Sequence, residues 1–568
     1  MSHHKPDPEK SVNLTIDGLP VTVSEGTSIL EAARKAGVNI PTLCDHPGLG
    51  RRAVCRLCVV ECDGGGKLKA ACANNVWEGA KVVTGSARIM SVRKTILELL
   101  LANHPQDCLS CIRSKKCELQ SLAATFGIRS LPFRREAPDL RPPETAAGTL
   151  VRDMAKCVKC GRCVEACQEG QTVRAINTSR RSVNFEISTP YEQALADGPC
   201  VYCGQCAAVC PVGAIYENDQ TGEIRPLLGN SERHVVVQAA PPVGPALDDE
   251  IGLKRGTVTA GRMVGALKRL GFAKVFDSGF SADVTGMEEG HELLDRIKNG
   301  GRLPMITSCS PGWINFAETF YPDLSEHLSS CKSPQQMFGA LVKTWYPRAA
   351  GIDPALITSV SIVPCIAKKF EARRPGMDSS GFRDVDIVLT TGELARMIKL
   401  SGVDFTGLPE SPFDSFTGDS PGAGTGDGVM EAALRTAYEA FTGKILAAVD
   451  FKELRGSRGI KQAEIDLKGT KMKALAVNGL ANARRIMDSI RSGECDAALV
   501  EIISCTGACA GRPCGSSETP LRRADSPDRT GQALPFRNPR ENPGVKTLYG
   551  QFLGAPLGEK SRRLLHSR

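Results

Sequence analysis

The N-terminal residues alternate between apolar and polar side chains in a way that predicts a β-hairpin. Residues 11–23 read SVNLTIDGLPVTV, with the alternation running through a turn that contains Gly18. Such a pattern about a glycine is typical of two antiparallel strands. A helix is predicted over 28–36, directly after the hairpin.

In the second half of the chain, predicted strands alternate with predicted helices. Predicted strands there are HVVVQAAPP, AKVFDSGF, LPMITSC and ITSVSIVPC, and predicted helices include GRMVGALKRLG and MEEGHELLDRI. This alternation, from about His234 to about Pro520, predicts an α/β domain with parallel strands and with ligands at the strand ends. The last segment, which contains NPRENPGVKTLYGQFLG and LLHSR, is expected to pack as helix.

Length and composition narrow the class of protein. A chain of 568 residues is too long for one core, and the Pro- and Arg-rich stretch 131–144 is expected to be a linker. The net charge of +8 is small, and no basic run is interleaved with aromatic residues, so nucleic acid is not an expected partner. No membrane span and no signal peptide are predicted. Together with the 23 bunched cysteines, this predicts a cytoplasmic protein.

Two four-cysteine runs stand at the centre of the chain, and both read C-x2-C-x2-C-x3-C. In bacterial ferredoxins three thiolates of such a run hold one iron–sulfur cube and the fourth binds the neighbouring cube. One predicted set is Cys157, Cys160, Cys163 and Cys210, and the other is Cys200, Cys203, Cys206 and Cys167. Zinc and a disulfide framework are the alternatives, but zinc usually binds two separated cysteine pairs and disulfides suit small secreted chains.

Two more constellations precede these runs. The first, spaced C-x10-C-x2-C-x13-C, consists of Cys44, Cys55, Cys58 and Cys72. It resembles the plant-type [2Fe–2S] pattern with the longer first gap of the large cluster-bearing subunit of complex I. The second consists of His104, Cys108, Cys111 and Cys117. It resembles the His-ligated [4Fe–4S] module of complex I and of iron-only hydrogenases. Zinc remains the alternative at both places.

Four residues outside these constellations are expected to have structural roles. Cys62 is surplus to the first constellation and is expected to be a structural thiol, while Cys331 and Cys495 are expected to be buried thiols. Trp313 is expected in the core. The chain contains no flavin or nicotinamide motif, so NAD(P) chemistry is expected on a partner.

Three strand-end segments complete a family resemblance. They are TSCSPGW (307–313), VPCIAKKFE (363–371) and EIISCTGAC (501–509). Together with the cysteine-rich N-terminal half, they resemble the catalytic subunits of iron-only, or [FeFe], hydrogenases, above all the NAD(P)-coupled multi-subunit type. In that family the corresponding loops hold the H-cluster, a [4Fe–4S] cube bridged by a cysteine to a diiron unit that carries CO and cyanide.

The resemblance implies roles for particular residues. Cube ligands would be Cys365, Cys505 and Cys509, with Cys509 bridging to the diiron unit. Cys309 would hand protons to the bridgehead amine, and Lys368 would pair with a cyanide. Ser333 and Gln335 are also expected to contact the cofactor. The implied proton relay consists of Glu289, Glu292, Ser329 and Arg296. The alternative for Glu292 and Arg296, which share a helix face, is a solvated ion pair.

The chain departs from the family pattern around the expected diiron unit. Ser310 stands where the family has the fourth cube ligand, and Cys309 is the alternative ligand. A proline without an N–H replaces a residue whose backbone reaches a cyanide. The helix after SPGAGTGDG lacks the usual preceding residues, and the last loop reads GRPCGSS. The single-residue departures are Ser310, Pro242, Val363, Ile503, Arg512 and Cys514.

The resemblance implies a multidomain α+β and α/β architecture. Its expected parts are a ubiquitin-like [2Fe–2S] ferredoxin domain (11–88), a [4Fe–4S] domain with one histidine and three cysteine ligands (89–130), a bacterial 2[4Fe–4S] ferredoxin domain (147–222), an α/β iron hydrogenase large-subunit domain (233–520) and a small-subunit-like C-terminal segment (525–568). The expected cofactors are one [2Fe–2S] cluster, three [4Fe–4S] clusters, and a terminal [4Fe–4S] cluster with or without a diiron subcluster.

Two functions follow from this architecture. The first is a hydrogenase-type oxidoreductase subunit that passes electrons between an H-cluster and partners. Those partners would be a flavin- and NAD(P)-binding subunit, a thioredoxin-like [2Fe–2S] subunit, or ferredoxin. The second is a hydrogenase-like electron relay without a diiron site, attached to an NAD-linked, bifurcating formate dehydrogenase. The altered pocket favours the second function, and the intact relay favours the first.

Overall fold

A computed structural model describes residue 7 and residues 10–64, 66–133, 141–254, 256–405, 407–417, 428–446, 451–454, 459–467, 469–506 and 538–567. Within these ranges, no helix is both long enough and apolar enough to cross a membrane. The fold class expected from the sequence is confirmed: small iron–sulfur domains of mixed α and β structure precede an α/β domain.

The first domain is a five-stranded sheet with one covering helix. Its elements are β1 (Ser11–Ile16), β2 (Leu19–Ser24), α1 (Ile29–Lys35), β3 (Val59–Cys62), β4 (Lys69–Ala70) and β5 (Lys81–Val83). The strand order is β2-β1-β5-β3-β4. The predicted hairpin is present because Asp17 and Gly18 both take positive φ, 49° and 82°, as the tight turn requires. The helix begins with a capping box between Ser28 and Glu31.

The two middle domains are small and carry little regular structure. The first contributes α2 (Ala87–Ala102) and α3 (Glu118–Thr125). The second contributes β6 (Glu144–Ala146), β7 (Leu150–Arg152), α4 (Arg162–Glu165), β8 (Asn177–Ser179), β9 (Glu186–Ser188), α5 (Gln205–Val209), β10 (Ile215–Glu217) and α6 (Thr221–Leu228). Helices α4 and α5 each start after a glycine at φ 77°, Gly161 and Gly204. The two cysteine runs therefore fold alike.

The large domain contains two sheets, and the parallel strands predicted from the sequence form one of them and part of the other. One sheet, in the order β12-β11-β14-β15, is wholly parallel. The other, in the order β13-β19-β18-β17-β16, is parallel only across β13, β19 and β18. The strands are β11 (His234–Ala239), β12 (Lys274–Asp277), β13 (Met305–Thr307), β14 (Ile357–Val363), β15 (Ile387–Thr390), β16 (Lys452–Glu453), β17 (Ile460–Leu467), β18 (Thr470–Asn478) and β19 (Leu499–Ile503).

Helices cover these sheets and end in a C-terminal cap. They are α7 (Val243–Ile251), α8 (Ala260–Arg269), α9 (Gly279–Asn299), α10 (Pro311–Phe320), α11 (Pro334–Ala350), α12 (Ala367–Glu371), α13 (Thr391–Ser401), α14 (Val429–Thr442), α15 (Leu480–Arg491), α16 (Pro543–Leu548) and α17 (Glu559–Leu565). The tail packs as helix, as predicted, against a core around Phe276, Phe338 and Leu341. Trp313 is fully buried, also as predicted.

The strand ends determine where the chemistry lies. Strands β13, β14 and β19 end at Thr307, Val363 and Ile503, two residues before Cys309, Cys365 and Cys505. Carboxyl ends of parallel strands are the usual place for a ligand in an α/β sheet. The fold therefore carries three separate cysteines to one region between the two sheets.

Candidate cluster sites and terminal pocket

The four cysteines of the first domain converge on one point. The Sγ atoms of Cys58 and Cys72 are 3.4 Å apart. Hydrogen bonds from Cys55 and Cys72 lower the pKa of Cys44 to about 2, so these thiols are also in contact. The backbone N–H of Leu43 donates to Cys55 Sγ over 3.5 Å. Four sulfurs this close, with a backbone donor beside them, fit a [2Fe–2S] cluster. Cys62 lies apart, buried in the core of this domain.

The module with one histidine and three cysteines presents an imidazole suited to a metal. The Nδ1 atom of His104 is buried and makes no hydrogen bond within the described ranges. Burial lowers the pKa of His104, which favours the neutral ring that binds metals. Gly213 closes the site from the next domain, because a Cβ there would lie 2.8 Å from Cys111 Sγ. The charges of Cys111 and Cys108 act on Cys117, so the three thiols are neighbours.

The two central runs line two separate cavities. One is lined by Cys157, Cys160, Cys163 and Cys210. The other is lined by Cys167, Cys200, Cys203 and Cys206. The fourth cysteine of each run thus faces the other run's cavity, which is the exchange that the spacing predicts. The remaining lining is almost wholly apolar, and four thiols in an apolar cage fit a [4Fe–4S] cube.

The cluster domains are fastened to one another by a buried arginine. Arg162, 3% exposed, donates from Nη1 and Nη2 to the two carboxylate oxygens of Glu118 over 2.6 and 2.9 Å. Its Nη2 atom also donates to the backbone oxygen of Asp45 over 2.8 Å. A bidentate arginine holds a fixed geometry. One side chain therefore fixes the positions of three cluster-bearing domains.

The second cavity abuts the terminal pocket. Gln205 Nε2 lies 3.5 Å from Cys505 Sγ, and Asn315 Nδ2 donates to the backbone oxygen of Cys200 over 3.0 Å. Gly312 allows this approach, because a Cβ there would lie 3.3 Å from the Val201 oxygen. No spacer separates the ferredoxin domain from the pocket, so electrons have a short route between them.

The structure brings Cys309, Cys365 and Cys505 together in this pocket. Burial raises the pKa of Cys365 to about 12, and the nearby Cys505 adds to the rise. Burial also raises the pKa of Cys505, with a contribution from Cys309. Buried thiols of this kind become thiolates when a cation offsets the charge. The remaining predicted ligand, Cys509, lies outside the described residues, as do Arg512 and Cys514.

Lys368 is buried in a polar network that the sequence did not predict. Its Nζ donates to Ser333 Oγ over 2.8 Å and to Glu371 Oε2 over 2.9 Å. Gln335 Nε2 donates to the Lys368 carbonyl and to Glu371 Oε2. Burial by itself lowers the pKa of Lys368, but the charges of Glu371 and Cys309 raise it above its ordinary value. The ammonium is therefore held beside Cys309, with Glu371 as its carboxylate partner.

Ser310, which the sequence predicts at the position of the fourth cube ligand, has a hydroxyl that is already engaged. Ser310 Oγ lies 2.5 Å from Ser504 Oγ and accepts from the Ser504 N–H over 3.4 Å. A ligand role would break this pair. Pro242 is the N-cap of α7, and Val363 is buried at the end of β14. These residues give the pocket a donor set that differs from the family pattern.

Two carboxylates, those of Glu289 and Glu501, approach Cys309 from different elements. Burial raises the pKa of Glu289 to about 8, against a hydrogen bond of 2.5 Å from Thr307 Oγ1 that lowers it. Its other oxygen, Oε2, makes no hydrogen bond within the described part of the chain. Burial raises the pKa of Glu501 to about 8, with a contribution from Cys309. Glu501 was not predicted as a site residue, although its segment was.

The outer part of the predicted relay is a continuous hydrogen-bonded chain. Ser329 Oγ donates to Glu292 Oε2 over 2.8 Å, and Arg296 Nη2 donates to Glu292 Oε1 over 2.7 Å. The Arg296 and Glu292 side chains are 13% and 9% exposed, so they do not form the solvated ion pair that was the alternative. Gly290 brings α14 close to this part of α9, because a Cβ there would lie 2.8 Å from the Ala433 oxygen.

Cys331 and Cys495, which were predicted to be buried, are both partly exposed. Cys331 lies beside Glu292, with its Sγ 3.7 Å from Glu292 Oε2. The prediction was wrong because a cysteine outside a ligand motif was assigned to the core on residue type alone.

These features define the class: an iron–sulfur electron-transfer protein whose cluster sites connect, through the second cavity, to one buried pocket. Residues 233–513 match the family "iron only hydrogenase large subunit, C-terminal domain", and residues 518–568 match "iron hydrogenase small subunit". Residues 9–87 match a 2Fe-2S cluster binding domain, 93–132 the iron-sulfur binding region of NADH-ubiquinone oxidoreductase-G, and 156–214 a 4Fe-4S dicluster domain.

Full-length relatives agree with these matches. The chain is 42% identical to the NADP-reducing hydrogenase subunit HndD of Solidesulfovibrio fructosivorans over 98% of each chain. It is 35% identical to iron hydrogenase 1 of Clostridium pasteurianum over 97% of this chain and 99% of that one. Among solved structures, apo [FeFe]-hydrogenase HydA1 from Chlamydomonas reinhardtii matches with a TM-score of 0.56 and 35% identity, covering 62% of this chain and 98% of that chain.

The chain belongs to the iron-only hydrogenase family. It is an iron–sulfur oxidoreductase subunit of the [FeFe]-hydrogenase type. Its cofactors are a [2Fe–2S] cluster and [4Fe–4S] clusters in the N-terminal domains, and a terminal cluster in the hydrogenase domain. The clusters of the N-terminal domains are together called the wire below.

Proposed function

We propose that this subunit interconverts H2 with protons and electrons at the terminal pocket and exchanges the electrons with a NAD(P)-linked partner. The observation that carries the proposal is a buried hydrogen-bonded chain in which Glu292 accepts from Ser329 over 2.8 Å and from Arg296 over 2.7 Å. Glu289 lies between this chain and Cys309 and interacts with the charges of both. A proton route to the end of an electron wire serves chemistry that consumes or releases protons. A pure electron carrier has no need of one.

The wire is proposed to use the cysteine sets that the structure gathers. When bound, the cubes supply one-electron transfer, and the terminal cluster supplies the two-electron chemistry of H2. Proposed ligands of the four wire clusters are Cys44, Cys55, Cys58 and Cys72; His104, Cys108, Cys111 and Cys117; Cys157, Cys160, Cys163 and Cys210; and Cys167, Cys200, Cys203 and Cys206. Proposed ligands of the terminal cube are Cys365, Cys505 and Cys509, with the fourth position to be filled by Ser310 or Cys309.

The proton steps are assigned to this chain's own side chains. Cys309 exchanges a proton with Glu289, whose Oε2 has no other hydrogen-bond partner among the described residues. Ser329 passes it to Glu292, and Arg296 stabilises the carboxylate next to solvent. Between Glu289 and Ser329, a water molecule or a turn of the Glu289 carboxyl completes the route. Lys368 holds positive charge beside Cys309 and the bound cofactor, and Ser333 and Gln335 keep its network in place.

The partner is proposed to be a flavin- and NAD(P)-binding subunit with a thioredoxin-like [2Fe–2S] subunit, or a ferredoxin. The support is the name of the relative HndD, an NADP-reducing hydrogenase subunit, and the match of residues 93–132 to a region of NADH-ubiquinone oxidoreductase-G. The first and second domains both pack beside Cys157 and Cys210, and electrons are expected to leave the chain through one of them.

A second function is favoured by one specific observation. The Ser310 hydroxyl, at the position expected for the fourth cube ligand, is engaged in a hydrogen bond with Ser504. Together with Pro242, which has no N–H, this favours a subunit that lacks the diiron unit and relays electrons between two other enzymes, such as an NAD-linked formate dehydrogenase and its partner.

The pH dependence of H2 evolution tests the proposed relay in protein purified anaerobically from its native host. Since burial raises the pKa of Glu289 to about 8, the relay carries its proton below that pH, and evolution with reduced viologen should fall as pH rises through about 8. Thr307→Val removes the hydrogen bond that lowers this pKa, so the fall should move to higher pH.

The control is Thr319→Val, which removes a hydroxyl bonded only to the Asn315 carbonyl of its own helix. That variant should keep the parent profile. Identical profiles for Thr307→Val and the parent would show that Glu289 does not set the pH dependence.

A further inference from the structure

The C-terminal tail carries a histidine to the edge of the proposed proton relay. The backbones of Cys331 and His566 pair as an isolated antiparallel bridge. Two hydrogen bonds flank it: the Lys332 N–H donates to the Leu565 oxygen over 2.8 Å, and the Ser567 N–H donates to the Ser330 oxygen over 2.9 Å. The tail therefore fixes the His566 side chain next to that of Cys331.

Three different ligand types meet at this place. Cys331 Sγ lies 3.7 Å from Glu292 Oε2 and 3.9 Å from His566 Nδ1, and all three atoms are within 4.8 Å of one another. Bond lengths of about 2.0–2.3 Å around a tetrahedral zinc ion place its ligand atoms about 3.3–3.6 Å apart. The two edges at Cys331 are a few tenths of an ångström longer than that. The edge between Glu292 and His566, at most 4.8 Å, shortens by up to about 1.5 Å as the metal draws the three atoms together.

The imidazole is already oriented for a metal. His566 Nε2 and Glu288 Oε2 are 3.1 Å apart, and both side chains are almost fully buried. Glu288 is itself held by the hydroxyls of Tyr549 and Ser561 over 2.5 and 2.6 Å. A carboxylate beside one ring nitrogen keeps the ring proton on that nitrogen. The other nitrogen then has a lone pair that can bind a metal, as is usual for metal-bound histidines. Here that other nitrogen is Nδ1, which faces Cys331.

We propose that Cys331, His566 and Glu292 form a binding site for Zn²⁺, with water as the fourth ligand. A thiolate, an imidazole and a carboxylate together suit zinc, whereas calcium and magnesium require oxygen ligands. Binding forms the S–Zn bond as the Cys331 thiol releases its proton to water. The Ser330 hydroxyl, which lies 2.8 Å from His566 Nδ1, turns away. Arg296 keeps its bond to Oε1 of Glu292 while the metal takes Oε2.

Zinc at this site closes the proton route, a consequence that rests on the proposed function. The oxygen that the metal takes, Glu292 Oε2, is the one that accepts from Ser329. The ion occupies the hand-over point between these residues without touching any cysteine of the wire. H2 turnover is then inhibited while electron transfer along the clusters continues.

The test uses the full chain with its clusters, washed with chelator and given one equivalent of ZnCl2 under anaerobic conditions. Zinc X-ray absorption should show one sulfur at about 2.3 Å and nitrogen or oxygen at about 2.0–2.1 Å, with the iron content unchanged. Cys331→Ala should lose the sulfur and bind zinc at least about 10–100-fold more weakly. His566→Gln should weaken binding similarly. The control Cys495→Ala removes another partly exposed cysteine and should bind as the parent does.

An unchanged zinc spectrum in Cys331→Ala and His566→Gln, several sulfurs around zinc, or loss of iron would overturn the site. H2 turnover, normalised to each protein's own rate without zinc, separates the two proposals. If zinc inhibits H2 turnover and a chelator reverses the inhibition, the result supports both the zinc site and the relay role of Glu292. Zinc bound with the expected ligands but without inhibition upholds the site and contradicts the relay role of Glu292.

Discussion

Glu292→Gln is expected to lower H2 turnover by about 10²–10⁴-fold, the usual range for loss of a proton-transfer group. Glutamine keeps the size of the side chain. Its amide oxygen can still accept from Arg296 and its NH2 group can donate to the Ser329 hydroxyl, so the local structure should survive. An amide does not take up and release protons near neutral pH, and the route therefore stops at this residue. Electron transfer alone should be unaffected. When electrons enter through the N-terminal clusters instead of from H2, a viologen should be reduced at the parent rate.

The matched control is Glu326→Gln. Glu326 pairs with Arg302, and both side chains are 71% exposed, so the same change is made near the relay but in solvent. This variant should turn over H2 as the parent does. A Glu292→Gln protein that stays within about threefold of the parent would mean that protons reach Cys309 by another path.

Cys206→Ser is expected to reduce electron transfer between the terminal pocket and the N-terminal domain by about 100-fold or more. Cys206 lines the second cavity, which adjoins Cys505 through Gln205. A serine hydroxyl is a much poorer iron ligand than a thiolate, and even indirect disturbance of a metal site costs about 10–100-fold. Because the second cavity adjoins the pocket and the first and second domains pack beside the first cavity, loss of this cube interrupts the route between them.

Cys495→Ser provides the comparison for this variant, since Cys495 is a free cysteine that lines neither cavity. Electron paramagnetic resonance should show one fewer [4Fe–4S] signal in Cys206→Ser and the parent signals in Cys495→Ser. Retention of every signal in Cys206→Ser would contradict the proposed ligand set.

The family and the cluster domains could be predicted because their information is local. Spacing alone indicates which fourth cysteine faces which cavity, since Cys167 and Cys210 each follow one turn of helix after their own run. The hairpin at Asp17 and Gly18 and the helix after Ser28 depend equally on near neighbours. The roles of individual cysteines and the domain bounds stay predictions.

Pairings between distant segments could not be predicted. Glu288 meets His566 across 278 positions, and Ser310 meets Ser504 across 194. The residues that flank a buried polar residue in the sequence do not specify which distant residue will be its hydrogen-bond partner. The antiparallel pairing of β17 with β18, which interrupts the alternation of strands and helices, was not predicted either.

Infrared spectroscopy of protein purified anaerobically from its native host tests the central claim most directly. If the terminal pocket performs H2 chemistry, the spectrum contains CO and cyanide stretching bands, despite the engaged Ser310 and the proline at 242. A spectrum without such bands, in protein whose iron and sulfide account for the wire clusters and the terminal cube, would contradict the claim. The subunit would then carry electrons for the chemistry of its partners.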